Sequence, residues 1–302
     1  MTKRRDKGKV SDLPLRGFRV VTTAVNLPGP AAAARLRLLG ASVVKVEPPS
    51  GDQMLAFSPD WYRELNAGQT ILTLDLKKPR DRARFDRLLD RSDLLLTASR
   101  PAALLRLGLD WQHLHARFPR LSHAALVGYM APRQNVPGHD LTYIARAGAV
   151  DPPHLPISLW ADLACAERLA AEAIALLLGR EHSGSGSCRE ISVEEVASFL
   201  AAPVRFGLTT QTGILGGNLP QYSIYRARQG WVAVATLEPH FWETLRKELK
   251  LRKGTKRELA AAFRKRSAKE WERWATGLDL PLVAVRELGG RKLPPRNPHS
   301  SA

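Results

Sequence analysis

Three acid–base side chains stand where the pattern of the chain changes. His139 follows Pro137 and Gly138 in NVPGHDLTYIARAG (135–148) and directly precedes an apolar, helix-like run. Asp162 opens the helical stretch 161–178, behind the stiff DPPHLP segment. Glu238 follows the strand-like WVAVATL and precedes Pro239 and another helical run. An imidazole and two carboxylates are groups that take and return protons. Each also has a plainer use. Asp is a favoured N-cap, a carboxylate suits the positive end of a helix, and a histidine can hydrogen-bond locally. Periodicity alone does not bring the three together.

The elements that must position them read as follows. GFRVVTTA (17–24) is a β-branched strand, NLPGP (26–30) a turn, AAAARLRLLG (31–40) a helix from Pro30 to Gly40, and ASVVKVE (41–47) the next strand. Pro at a helix start and Gly past its end fit this reading, and the unit is βαβ. TILTLDL (70–76), DLLLTAS (93–99) and LSHAALVGY (121–129) are further strands, alternating with helices at 80–92 and from 101. The alternation predicts a Rossmann-like, doubly wound α/β domain with ligand loops at the strand ends. Beyond the 161–187 helix and its Ser/Gly turn, CREISVEEVASFLAAP and a hairpin around RARQG predict a smaller α+β domain. The expected organisation is a basic disordered tail over 1–12, a large domain over 13–185, a small domain over 186–290 and a disordered tail over 291–302.

Composition narrows the function classes. Two cysteines, Cys165 and Cys188, in 302 residues argue for a reducing compartment and against a disulfide framework. No Cys/His cluster has zinc spacing, so no metal is expected. No stretch approaches the roughly 18 apolar residues that span a bilayer. MTKRRDKGKV has no apolar segment behind it and is no secretory signal. A cytoplasmic protein without membrane association is expected. The formal net charge is +17, with much of the excess in the N-terminal tail and after Arg246. It reads first as a solvated basic surface, and more sharply as attraction for a polyanion. No RNP or zinc-finger pattern accompanies it, so no specific nucleic-acid partner is expected.

The order of motifs resembles the class III CoA-transferase family (CaiB/BaiF type). LRGFRVVTTA, LLGASVVKVEPPSGD, LTLDLKKP, SDLLLTASRP, RLGLDW, FPRLSHAALVGY, PGHDLTYIARAG, LWADLA, GSGS and LPQYSIYRARQGWVAVATLEPHFW follow in family order over residues 13 to 285. The Gly-His-Asp segment is closest to the α-methylacyl-CoA racemase branch. That resemblance implies two-base α-proton transfer on a 2-methylacyl-CoA thioester, with His139 and Asp162 on opposite faces of the α-carbon. It implies that Glu238 pairs with the histidine and Glu195 supports the aspartate. Lys45 and Arg100 match basic positions near the CoA phosphates and adenosine. Coenzyme A enters as part of the substrate, no prosthetic group is implied, and an interlocked homodimer is expected.

The transferase branch implies a second chemistry. Asp162 would attack the thioester, giving an acyl anhydride and then an aspartyl-CoA thioester. The glycine loop that shields such intermediates has only GGN (216–218) as its nearest match. A third reading is a degenerate member that binds CoA or a partner without turnover. Three departures bear on the choice. NAGQT (66–70) lacks the basic residues of the family pattern. ADLACAE stands where racemases often carry glycines. Family members are typically longer beyond the small domain, where this sequence closes after LPLVAVRELGG (280–290).

Overall fold

The computed structural model describes residues 13–286. The tails expected to be disordered lie outside the described residues. The chain divides into two compact units, one ending at Ala202 and one beginning at Pro203.

The first unit is built on six parallel strands. It runs β1 (Arg19–Thr22), α1 (Pro28–Leu38), β2 (Ser42–Glu47), the short α2 (Met54–Phe57) and α3 (Pro59–Leu65), and β3 (Thr70–Thr73). Next come α4 (Pro79–Asp90), β4 (Leu94–Thr97), α5 (Pro101–Arg106), α6 (Trp111–Arg117) and β5 (Ser122–Val127). It closes with α7 (Asp140–Arg146), α8 (Trp160–Ser183), β6 (Cys188–Ser192) and α9 (Val193–Leu200). The strand order is β3-β2-β1-β4-β5-β6. All neighbours are parallel.

Alternating residues of each strand serve the two faces. Val20, Leu94 and Leu96 pack with α1 and α8 residues such as Leu36, Leu169 and Leu176. Val21 and Leu95 pack on the other side with Phe85, Leu89 and Leu114. Both faces are covered, which is why β4 and β5 are buried throughout and largely apolar. α1 begins at Pro28, two residues earlier than the turn reading of NLPGP predicts. Pro28 fits the first helical position. Gly29 then passes so close to Ala24 that a Cβ would stand 2.2 Å from the Ala24 side chain.

The expected domain boundary after residue 185 is displaced. CREIS does not join the second sheet. It pairs with β5, from His123↔Cys188 to Val127↔Ser192, as the last strand of the large sheet. α9 then packs back into the same core through Val193 and Ala197.

The second unit holds α10 (Ala202–Arg205) at its edge and a π-type turn at Ile214–Asn218. The strands are β7 (Tyr222–Arg226), β8 (Trp231–Ala235) and β9 (Leu282–Ala284), and the helices α11 (Pro239–Glu248), α12 (Lys256–Phe263) and α13 (Ala268–Thr276). The strands form an antiparallel sheet in the order β7-β8-β9. Its core gathers Tyr225, Val232, Val234, Leu245, Leu259, Phe263, Trp271 and Leu282.

Candidate active site

In the sheet of the first unit, the succession of strands reverses between β1 and β4, the strands themselves staying parallel. Ligands of such sheets bind outside the carboxyl ends of the strands near this point. The loops after β4 and β5 supply the groups found there.

The loop after β5 carries His139. Its backbone N–H donates to Thr142 Oγ1 at 3.0 Å, and the Thr142 hydroxyl donates to the His139 carbonyl at 2.8 Å. These bonds fix the residue at the N-cap of α7, while its side chain makes no capping bond. The imidazole is exposed. The loop itself is clamped. Arg133 Nη2 donates to both oxygens of Glu194 at 2.6 Å, and Arg146 Nε donates to the same carboxylate at 3.0 Å. α9 therefore holds both ends of the His139 segment.

Asp140, the next residue, is buried. One of its oxygens accepts the backbone N–H of Asp162 at 2.9 Å. Asp162 sits in the first turn of α8, where backbone N–H groups lack helical partners. Asp140 thus supplies the missing acceptor from a neighbouring helix. Burial, and then the Asp140 charge, push the Asp162 carboxyl up to about 6. A carboxyl there exchanges protons near neutral pH.

Tyr143 lies beside this pair, nearly fully buried and edge-on to Tyr129 with centroids 5.1 Å apart. Two glycines make room for it. A Cβ on Gly128 would stand 2.3 Å from its hydroxyl, and one on Gly138 would stand 2.6 Å from its ring. Burial raises the phenol to about 12, with further contributions from Tyr129, Asp162 and Cys165, so it stays a neutral O–H. Cys165, one turn beyond Asp162, is fully buried and its thiol is raised by burial to about 12. It is a packing residue at neutral pH.

Arg100 occupies the N-cap of α5, just past β4. With Ser99, Arg106 and Asn135 it lines a cleft of about 450 Å³. Asn135 closes one wall by accepting the Ala102 N–H at 3.1 Å. Two guanidinium groups on an open cleft suit a phosphate-bearing ligand.

Lys45 departs from its expected role. It is wholly buried. Its ammonium lies 2.6 Å from Asp52 and 2.9 Å from Glu47 and stands over the Tyr62 ring. Tyr62 donates to Glu47, and Asp52 accepts backbone N–H groups from Asn26 and Met54. This cation is neutralised inside the fold and is not presented to a CoA phosphate. Glu195 is exposed in the first turn of α9 and makes no contact with Asp162 among the described residues. The neighbouring Glu194 instead does the clamping. Glu238 belongs to the second unit, exposed at the N-cap of α11 ahead of Pro239. Asp140, Tyr143 and Glu194 were not anticipated. Only Asp140 carried a visible signal, as the acid following the histidine. Among the described residues no group of His, Cys, Asp and Glu could hold a metal ion, and no helix is long and apolar enough to cross a membrane.

Comparison with known proteins identifies the relatives of this chain. The family model described as CoA-transferase family III matches residues 15–291. Human alpha-methylacyl-CoA racemase is 30% identical over 304 residues, covering 90% of this chain and 78% of that protein. The probable fatty acyl-CoA transferase Rv3272 of Mycobacterium tuberculosis is 34% identical over 208 residues, covering 63% of this chain and 52% of its own. A crystal structure of Rv3272 superposes with a TM-score of 0.78 at 27% identity, covering 91% of this chain and 84% of that one.

Proposed function

The chain belongs to CoA-transferase family III, and from that premise we propose that it moves an α-proton of a 2-methylacyl-CoA thioester between His139 and Asp162. The observation that carries this reading is the Asp140–Asp162 hydrogen bond, which ties the helix mouth bearing His139 to the helix start bearing the second base. In one direction neutral His139 takes the α-proton and the electron pair delocalises into the thioester carbonyl as an enolate. Protonated Asp162 then gives its proton to the opposite face of the same carbon. The reverse direction starts from the imidazolium and the carboxylate. An Asp162 carboxyl raised to about 6 supports this, because it lies in the range where imidazoles ordinarily titrate. Arg100 is assigned to the CoA phosphates. Glu238 is assigned an acid–base role on the family resemblance.

A second reading is CoA transfer through an Asp162 acyl anhydride. The observation favouring it is the glycine-bearing turn at 213–217, where a Cβ on Gly216 would fall within bonding distance of the Thr210 carbonyl oxygen. The relatives include both chemistries by name, a racemase and several CoA-transferases such as the cinnamoyl-CoA:phenyllactate enzyme of Clostridium sporogenes. We also assign a homodimer, on the exposure of Leu155, Ile157 and Trp160 within the first unit. Apolar side chains left in water at this density are ordinarily covered by a partner. Light scattering tests it, and a clean monomer overturns it.

The deciding experiment is deuterium incorporation from heavy water into a 2-methylacyl-CoA, read by mass spectrometry, with free carboxylic acids added in parallel. Exchange at the α-carbon without new CoA esters supports proton transfer, and His139→Ala must abolish it. New CoA esters without exchange replace it with the Asp162 nucleophile. Neither signal in a protein that still binds CoA removes both readings.

A further inference from the structure

The positive charge of this chain is unevenly matched. In the first unit cations repeatedly meet acids, as in Arg35–Glu167, Arg63–Asp60, Arg117–Asp86 and Arg168–Glu172. The second unit differs. Seven of the twelve residues from Arg246 to Arg257 are Lys or Arg, and among the described residues none of them forms an ion pair with an acid. Six of the seven side chains are exposed, and Arg246 is half-buried.

Two of the nearby acids, Glu258 and Glu270, are engaged elsewhere. The Glu258 carboxylate accepts the backbone N–H groups of Arg252, Lys253 and Thr255, at 3.0–3.1 Å in its best contacts, as part of the α12 cap. Glu270 accepts from the Ser267 backbone and hydroxyl and pairs with Arg228. These two carboxylates thus serve helix starts, and the seven cations outnumber the remaining acids of the turn, Glu243 and Glu248.

The turn is also rigid. Lys250 adopts φ 53°, and the Leu251 N–H donates to the Arg246 carbonyl at 2.9 Å. Gly254 is buried against Trp242, where a Cβ would stand 2.7 Å from the indole. Arg246, Lys247 and Lys250, with the single acid Glu243, line a cleft of about 410 Å³, and Arg252, Lys253 and Arg257 continue the cationic stretch beyond it.

We propose that this turn between α11 and α12 binds the phosphate backbone of nucleic acid without regard to sequence. The run of cations outreaches a single phosphate, which the cleft alone would hold. A membrane surface fits less well. None of the large apolar side chains exposed in the described residues lies between Leu237 and Val283, whereas interfacial helices bury an apolar face in lipid. α11, α12 and α13 turn theirs into the core through Leu245, Leu259, Phe263 and Trp271. An acidic protein partner fits less well too, since the cores of such interfaces are aromatic or apolar and poor in charge. Backbone phosphates need only cations at close spacing.

The test uses the full chain and a fluorescein-labelled duplex of about 20 base pairs of random sequence, with anisotropy read across salt concentrations. The wild type is expected to bind with a steep negative salt slope. The set Lys250→Glu, Arg252→Glu and Lys253→Glu is expected to weaken binding at least about tenfold and to reduce the slope by about 2–3. A matched set on α4, Arg80→Glu, Arg84→Glu and Arg87→Glu, is expected to leave binding within about twofold. Should the first set fail to fold, the same three positions changed to Gln carry the test, and binding must still weaken. Failure of the wild type to bind duplex at about 50 mM salt overturns the proposal. So does equal weakening by the α4 set, or capture by anionic phosphatidylserine vesicles without capture by duplex.

Discussion

The buried carboxylate of Asp140 accepts the backbone N–H of Asp162 at 2.9 Å. This bond makes Asp140 an acceptor for α8 and a negative neighbour of the Asp162 side chain at once. The two roles separate by substitution. Asp140→Asn keeps an acceptor oxygen and removes the charge, so the Asp162 carboxyl falls from about 6 toward its ordinary value. The limb of the activity profile that Asp162 sets, basic in the direction where it donates and acid in the reverse, should move to lower pH with little loss of stability. Asp140→Ala leaves the α8 N–H unpaired and should cost about 1–3 kcal/mol in denaturant unfolding. An unchanged pH profile in Asp140→Asn would show that the charge does not reach Asp162.

Asp162 and His123 place opposite pH dependences on stability. The folded carboxyl of Asp162, at about 6, binds protons that the unfolded chain has already released. Its contribution therefore falls as pH rises from about 4 to about 6. Asp162→Asn should be more stable than the wild type at pH 8, on the order of 1 kcal/mol after solvent screening, and equal to it below about pH 4. His123 is buried, its Nε2 3.0 Å from Thr97 Oγ1, and burial lowers its pKa to about 4. The unfolded imidazole protonates near 6.5. Stability from this group is present above that value and is lost as pH falls toward 4. His123→Gln should flatten the acid limb of a urea-unfolding series, and an unaltered limb would exclude the imidazole as its cause.

Lys45 and Arg100 should exchange the effects that their sequence positions suggest. Lys45→Met strands the buried Glu47 and Asp52 carboxylates, whose shared cation lies 2.6–2.9 Å away. Breaking such a group costs about 3–5 kcal/mol. Arg100→Ala removes an exposed cation from its cleft and should weaken CoA binding about tenfold in calorimetry without lowering Tm, as loss of a charge-assisted phosphate contact does. A stable Lys45→Met chain with weakened CoA binding would restore Lys45 to the ligand.

What the sequence reveals depends on how local the cause is. The large sheet was legible because β4 and β5 are apolar on both faces and helices alternate with them. The fate of Lys45 was not, since its partner Asp52 lies across the Pro/Gly loop, and only the folded loop returns it to β2. Glu194 and Glu195 share the first turn of α9, so residue type cannot say which one faces Arg133. CREIS reads as a strand in either domain, and only its pairing with β5 assigns it to the large sheet. His139 and Asp162 were linked by resemblance. The link through Asp140 needed the fold.

The pocket around Tyr143 makes a prediction that distinguishes its two glycines. A methyl on Gly128 would meet the Tyr143 hydroxyl at 2.3 Å but the ring carbon bearing it at 3.2 Å. A methyl on Gly138 would meet that carbon itself at 2.6 Å, with a second ring carbon at 2.7 Å. Both single alanine variants should therefore lose about 1–3 kcal/mol, as overpacked cores do. Tyr143→Phe removes the oxygen and keeps the ring, so it should restore most of the loss in Gly128→Ala and little of it in Gly138→Ala. The coupling in a double-mutant cycle should reach about 1 kcal/mol for the first pair and stay near zero for the second. Equal rescue of both would mean that the ring moves freely. A fixed ring holds its hydroxyl in one place beside Asp162.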